Sequence, residues 1–151
     1  MNLSLDIQNT LHTSSVPSEP DIIQWISTAF EKGPEEVEIC LRLVGESESA
    51  ALNQQYRKKA GPTNILSFPA ALPEALAKTY LLGDLVICMP LLEREALEAN
   101  ISVRSHFAHL IIHGCLHLQG YDHIKDDEAE IMENLETRLM QSLGFANPYS
   151  V

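Results

Sequence analysis

The chain has 151 residues, of which 45% are hydrophobic and 21% charged, and its formal net charge is −11. Such a length suits one domain with a sizeable core, and the composition is typical of a soluble globular protein. The negative charge argues against a protein that coats nucleic acid through its bulk charge, because phosphate binding relies on Lys and Arg. No apolar run reaches the length of about eighteen residues that suggests a membrane span, and the N-terminus has no secretory-signal pattern.

The cysteines indicate a reducing compartment. There are three of them, far apart in the sequence and flanked by apolar residues, and none has the CxxC spacing of a zinc or redox site. We therefore expect small buried core residues in a cytoplasmic protein. These residues are Cys40, Cys88 and Cys115.

The first half of the chain alternates predicted strands and helices. Residues 2–8 alternate apolar and polar side chains, as a half-buried strand does, and residues 36–44 do so more clearly. A helix that starts near Asp21 is predicted between them, followed after the second strand by a helix over 46–56 and a short strand over 64–68. The apolar faces predicted for the two helices consist of Ile22, Ile23, Trp25, Ile26 and Phe30 in the first and of Ala50, Leu52 and Tyr56 in the second.

The second half of the chain is predicted to be mainly helical. Residues 70–80 predict a loop or a short helical turn, and residues 81–89 predict a buried strand interrupted by Gly83 and Asp84. The order of elements predicts an α+β domain over residues 1–151, with a mixed sheet of about four strands covered by about five helices. Three helices are predicted to follow: one that begins at Pro90, one over 102–118 and one over 126–143. The core residues predicted for the first are Leu92, Ala96 and Leu97, and those for the last are Met132, Leu135, Leu139 and Leu143.

Residues 113–123 read HGCLHLQGYDH and predict a metal site at the end of a central helix. His113 and His117 are four residues apart, so they lie on one helical face and can bind one ion. Gly120 allows the helix to end and the chain to turn back, which brings His123 over the ion. Three imidazoles with an open fourth position are typical of catalytic zinc, although Ni, Co and Cu suit the same ligands. The alternative is three surface or packing histidines near a helix end.

Several residues around this motif allow two interpretations. Asp122 either orients a ligand histidine or caps the next helix. His109 is interpreted as a core residue or as a side chain that supports a ligand from behind, whereas His106 is expected to face solvent and His12 to lie in a loop. The run Arg57–Lys59, taken alone, is typical of a solvated turn.

The spacing of the three histidines equals that of the metzincin proteases, whose motif is H-E-x-x-H-x-x-G-x-x-H. Gly114 stands where those enzymes have the glutamate that takes a proton from the zinc-bound water. A metallopeptidase therefore stays an alternative function, but it lacks its base.

The chain as a whole resembles the YbeY family, bacterial single-domain endoribonucleases that act on ribosomal RNA precursors. The resemblance covers most of the chain and is weak before residue 45, and HGCLHLQGYDH is its most specific segment. Many members carry Asp where this chain has Asn64, which suggests that this position is not a required metal ligand or base. The segments that carry the resemblance are LNQQYRKKAGPTNILSFP (52–69), LLGDLVI (81–87), HLIIHGCLHLQGYDH (109–123) and DDEAEIMENLETRLMQSLGF (126–145).

The resemblance implies both a site and a function. It implies that His113, His117 and His123 bind zinc and that Arg57 is the arginine on which activity depends. We hypothesise that Arg57 binds non-bridging phosphate oxygens in the transition state, while zinc lowers the pKa of a bound water to about 7. Attack by water and attack by the RNA 2′-hydroxyl both remain open.

The biological role implied by the resemblance is zinc-dependent cleavage of single-stranded RNA in 16S rRNA 3′-end maturation, ribosome biogenesis and quality control. The implied partners are ribosomal RNA and the small ribosomal subunit, together with a ribosomal protein or an assembly GTPase. The alternative is a non-catalytic ribosome-assembly factor with a structural zinc. The net charge of −11 slightly favours that alternative, because an acidic nuclease needs help to approach RNA.

Overall fold

The segments with strict alternation form the strands that the pattern predicts. The computed structural model describes residues 1–9, 11, 13–122 and 124–149, and these form four strands and six helices. The elements are β1 (Asn2–Asn9), α1 (Glu19–Ala29), β2 (Glu36–Val44), α2 (Glu46–Arg57), β3 (Ile65–Pro69), α3 (Glu74–Ala77), β4 (Tyr80–Cys88), α4 (Met89–Ala99), α5 (Val103–Leu118) and α6 (Asp126–Ser142).

The four strands form one mixed sheet in the order β1-β2-β4-β3. β2 is parallel to both of its neighbours, β1 and β4, and helical segments lie on the connections from β1 to β2 and from β2 to β4. β3 is antiparallel to β4. This architecture confirms the predicted α+β class with a four-stranded mixed sheet. The sixth helix is α3, a single turn within the segment that was expected to be a loop or a short helical turn.

The main core lies on one face of the sheet. Helices α1 and α5 pack together there, and α5 also packs on β3 and β4. The inward residues of β2, which follow the predicted alternation, are almost fully buried. On the opposite face α2 covers only a small apolar cluster, so much of that face stays open. The buried residues of β2 are Val37, Ile39, Leu41 and Leu43, and those of the small cluster are Val44, Leu66 and Val86.

Three details of the predicted packing were wrong. β4 continues through Gly83 without interruption. A Cβ at Gly83 would lie 2.9 Å from the methyl groups of Leu118, so the glycine allows close packing and does not end the strand. Ile23 is 38% exposed and Leu97 is 82% exposed. Each follows a core residue directly, and one step along a helix turns a side chain by about 100°, away from the sheet.

Helix α2 is held by polar rather than apolar side chains, which differs from the predicted apolar face. Ser49 and Asn53 are its buried residues. The Ser49 hydroxyl donates to the Thr63 carbonyl at 2.8 Å and accepts from the Thr63 N–H at 3.0 Å. The Asn53 amide donates to the Gly61 carbonyl at 2.9 Å. These bonds fix the loop between α2 and β3 against the helix that carries Arg57.

Two further expectations concern location and the thiols. None of the helices in the described ranges is long and apolar enough to cross a membrane. Cys88 and Cys115 are buried, as predicted, but Cys40 is only half-buried, because its strand position faces the open side of the sheet. All three cysteines are free thiols.

Helix α5 approaches β3 and β4 closely at Gly114. It begins after Ser102, whose hydroxyl accepts the Ser105 N–H at 3.0 Å. A Cβ at Gly114 would lie 2.7 Å from Ile65 Cδ1 and 2.8 Å from Leu85 Cδ2. The glycine is therefore required by packing between helix and sheet, and this explains its presence where a metzincin has its glutamate.

We expect Gly114→Ala to lower the free energy of unfolding, because overpacking costs about 1–3 kcal/mol and alanine regains only about 1 kcal/mol of helix propensity. Gly114→Glu should lower it by several kcal/mol more, since the carboxylate would be buried without a partner. Urea unfolding followed by circular dichroism measures both. Gly45→Ala is the matched control, because its Cβ would meet nothing nearer than Leu11 Cδ2 at 3.9 Å. A Gly114→Glu protein as stable as the wild type would contradict this packing.

Candidate functional site

The last two turns of α5 bring two histidines together. The Nε2 atoms of His113 and His117 lie 3.1 Å apart. Two imidazole nitrogens bound tetrahedrally to one zinc ion, each at about 2.0–2.1 Å, are separated by roughly 3.3–3.4 Å. The pair therefore fits a shared metal ion, as the four-residue spacing predicts.

The third predicted ligand, His123, lies outside the described residues. Within the described ranges, no group of three His, Cys, Asp or Glu side chains converges as a metal ion requires. The complete three-histidine zinc site thus stays a prediction, supported at two of its three positions by the geometry of α5.

Behind His113 lies a buried carboxylate that the sequence analysis did not identify. Glu136 of α6 is 1% exposed. It accepts hydrogen bonds from His113 Nδ1 at 3.0 Å, from the Tyr149 hydroxyl at 2.7 Å and from His109 Nε2. Burial alone would raise the pKa of Glu136, but the hydrogen bonds from His109, His113 and Tyr149 outweigh it and hold the pKa at about 2.

The ionised Glu136 determines which nitrogen of His113 is available. A carboxylate can only accept hydrogen bonds, so Nδ1 of His113 carries the hydrogen. In a neutral ring the lone pair is then on Nε2, the atom that faces His117. This is the arrangement by which carboxylates commonly fix the orientation and tautomer of metal-binding histidines. His109 shares the same carboxylate, in agreement with a residue that supports a ligand from behind.

The two histidines face a cavity of about 660 Å³ between α5, β3 and the end of α2. Arg57 is the last residue of α2 and lines this cavity together with Lys59 of the following loop. Residues that are far apart in the sequence therefore share one cavity. Its polar walls include Arg57, Lys59, Asn64, His113, His117 and Asp122.

The remaining predicted residues fall in different places. Asp122 lines the cavity, and it does not cap the next helix, because Lys125 is the N-cap of α6. His106 was expected to face solvent, but its side chain is only 14% exposed and its Nε2 lies 2.9 Å from Glu95 Oε1. His12 lies outside the described residues.

Asn64 has a partner other than the histidine pair. Its amide donates to Glu95 Oε1 at 3.1 Å, and Glu95 in turn pairs with His106. The side-chain amide is thereby held toward α4. This agrees with the interpretation that the position is not a metal ligand.

One signal in the sequence points to Glu136. Met132, Glu136 and Met140 lie four residues apart on one face of α6, and all three are buried. A glutamate within an apolar stripe is costly to bury unless it is paired, so its position predicts hydrogen-bond partners in the core. The histidines of α5 are those partners.

The pKa of Glu136 predicts a specific acid sensitivity. A carboxyl whose pKa is lowered on folding, here from 4.5 to about 2, stabilises the protein fully above pH 4.5 and loses that effect as the pH falls toward 2. Glu136→Gln lacks the titrating group, so its free energy of unfolding should fall less over this window than that of the wild type. Urea unfolding at several pH values tests this, and equal slopes for the two proteins would contradict it.

Comparisons with known proteins agree with the fold and with the family resemblance. The family described as endoribonuclease YbeY matches residues 6–144, which is nearly the whole chain. The solution structure of TM1509 from Thermotoga maritima is similar, with a TM-score of 0.55 and 20% identity over 99% of this chain and 100% of that one. This second similarity shows a shared fold. The family match confirms the resemblance inferred from the sequence: the chain belongs to the YbeY family of endoribonucleases, which indicates a nuclease that acts in ribosomal RNA processing.

Proposed function

We propose that this protein is a zinc-dependent endoribonuclease that cuts single-stranded RNA and matures the 3′ end of 16S rRNA on the small ribosomal subunit. One observation carries the proposal: Arg57 lines the same cavity as His113 and His117. A guanidinium across a cavity from a histidine pair is suited to phosphodiester hydrolysis, in which negative charge develops on non-bridging oxygens. Ribosome quality control, and contacts with a ribosomal protein or an assembly GTPase, belong to the same proposal.

The metal would be held by His113, His117 and His123. Zinc bound there would act as a Lewis acid that lowers the pKa of a coordinated water or polarises a phosphoryl oxygen. Glu136 keeps the His113 ring in place, and His109 keeps Glu136 in place. Asp122 in the cavity wall is suited to orient a further ligand histidine.

Arg57 would position and stabilise the phosphate. Its guanidinium can donate two parallel hydrogen bonds to non-bridging oxygens, which fixes the orientation of the phosphate as well as its charge. Lys59 adds a second positive charge to the same wall. These local cations attract the RNA backbone to the cavity although the net charge of the chain is −11.

We expect Arg57→Ala to lower single-turnover cleavage of an unstructured RNA about 10²- to 10³-fold while zinc stays bound, because a donor to the developing charge is lost. Arg57→Lys should recover only part of the rate, since an ammonium lacks the paired donors. The measurement combines cleavage by zinc-loaded, nuclease-free protein, with and without chelator, with metal analysis of each variant.

Lys58→Ala is the matched control for this experiment. Lys58 is the next residue along the chain, and its ammonium binds the Gln55 carbonyl at 3.1 Å. Its removal should leave the cleavage rate nearly unchanged. Full activity of Arg57→Ala would remove Arg57 from the mechanism. A zinc-loaded wild type that never cuts RNA, although His117→Ala still supports ribosome assembly, would favour the assembly factor.

Glu136→Gln should weaken zinc binding about 10- to 100-fold, the usual cost of losing a group that orients a metal-binding histidine. An amide cannot replace a carboxylate that accepts from several donors at once, so the His113 ring loses its fixed tautomer. Competition with a chromophoric chelator at constant pH measures the affinity. The control is Glu95→Gln, which alters a carboxylate paired with His106 instead of His113. Equal zinc affinity of Glu136→Gln and the wild type would contradict the orienting role.

A further inference from the structure

A second cavity of about 420 Å³ lies on the open face of the sheet. Neighbouring rows of cross-strand residues form its floor. Gln8, Arg42 and Val86 lie side by side in one row, and Asp84 pairs with Phe68 in the next. The cavity therefore combines an apolar part with polar groups, which is typical of small-ligand sites of this volume.

Helix α2 forms the wall of this cavity through Leu52 and Tyr56. The two residues are four apart and therefore lie on the same helical face. Tyr56 is 58% exposed although it is aromatic, and its ring meets that of Phe68 edge to face with centroids 5.0 Å apart. An exposed tyrosine packed on a half-buried phenylalanine at the rim of a cavity offers a stacking surface to a planar ligand.

The second cavity adjoins the candidate site. Tyr56 and Phe68 line both cavities and therefore stand between them. Arg57 follows Tyr56 directly at the end of α2 and lines the cavity that contains the histidine pair. A chain molecule held at Arg57 can thus extend past Tyr56 into the second cavity.

The charges of the two cavities differ, so that the first suits a phosphate and the second suits an uncharged base. The first carries Arg57 and Lys59. The second carries the exposed carboxylate of Asp84, and the one cation among its described lining residues, Arg42, is paired with Glu48 outside the lining. Asp84 repels a phosphate but can accept hydrogen bonds from the N–H groups of an uncharged ring.

We propose that the second cavity binds one nucleobase of the single-stranded RNA, next to the phosphate held at Arg57. The base stacks at Tyr56 and Phe68 and donates hydrogen bonds to Asp84, which favours adenine, cytosine or guanine over uracil. These three carry an exocyclic amino group, whereas the N3–H of uracil is flanked by two carbonyl oxygens that the carboxylate repels. The inference rests on the proposed endoribonuclease function, for which it specifies how the substrate is held. It also gives a reason for a single-strand requirement, since a base in this cavity is unstacked from its neighbours.

The test uses a fluorescently labelled 2′-O-methyl oligonucleotide, which keeps bases and phosphates and resists cleavage. A single abasic nucleotide is placed at each position in turn, and fluorescence anisotropy with zinc-loaded protein gives the Kd. For the wild type, one abasic position should raise the Kd about fivefold or more, the usual effect of losing one base stacked on an aromatic side chain. For Tyr56→Ala the intact oligonucleotide should already bind more weakly, and the abasic position should add a smaller loss than in the wild type, because only the contacts with Phe68 and Asp84 remain to be lost.

Tyr56→Phe is the matched control, since it keeps the ring and should keep the abasic effect. Asp84→Asn should reduce the preference for amino-bearing bases over uracil at that position, whereas Asp6→Asn should not, because Asp6 faces the same side of the sheet but lines a different cavity. An equal abasic effect in the wild type and Tyr56→Ala, or no sensitive position at all, overturns the proposal.

Two further outcomes separate this proposal from others. If Tyr56→Ala weakens binding to isolated small ribosomal subunits but not to the oligonucleotide, the cavity serves a protein partner and the nucleobase proposal fails. If the wild type shows the expected abasic effect but never cleaves unmodified RNA, the base site stands and the proposed endoribonuclease function fails.

Discussion

The close contact between α5 and the sheet is the constraint on which the candidate site depends. At Gly114 the helix backbone comes so near to β3 and β4 that a Cβ would lie within 2.8 Å of two core side chains. The residue before it, His113, then lines a cavity together with β3. Because β3 is joined to α2 by the anchored loop, Arg57 is held across a cavity from the histidines. A larger residue at position 114 would displace the helix that carries both predicted ligands.

The second requirement of the site is a buried negative charge. An isolated ionised carboxylate in a protein core is strongly unfavourable, and Glu136 is stable there because three donors surround it. Those donors include a predicted metal ligand, so the interaction that stabilises the carboxylate also orients His113. Folding stability and the proposed metal binding are therefore expected to be coupled through one group. This coupling explains why Glu136 lies within an apolar stripe of α6 and not on its solvated face.

The sequence predicted those parts of the structure that arise from local periodicity. Strand β2 was predicted over residues 36–44 and occupies Glu36–Val44, because strict alternation leaves one register for a half-buried strand. The convergence of His113 and His117 followed from helical spacing alone. Long-range contacts were predicted less well. Leu97 was wrongly predicted to lie in the core. Periodicity identifies the apolar residues of a helix, but it does not tell which of them the neighbouring elements cover. Glu136 was missed because its partners lie outside α6, on helix α5 and at Tyr149.

Arg57 shows where inference from the local sequence ends and long-range contacts become necessary. Nothing in the segment Arg57–Lys59 distinguishes a solvated turn from a phosphate-binding site, and only the family resemblance singled out the arginine. Its position across the cavity from the histidines depends on the antiparallel pairing of β3 with β4 and on the polar contacts of α2, both of which involve residues distant in sequence. The same two features place Tyr56 between the cavities. The end of α2 that places Arg57 across the cavity from the predicted metal ligands therefore also provides the aromatic boundary, with Arg57 and Lys59 on one side and Asp84 on the other. A nucleotide has the same polarity, an anionic phosphate joined to an uncharged base, so a single helix end is able to orient both parts of the substrate.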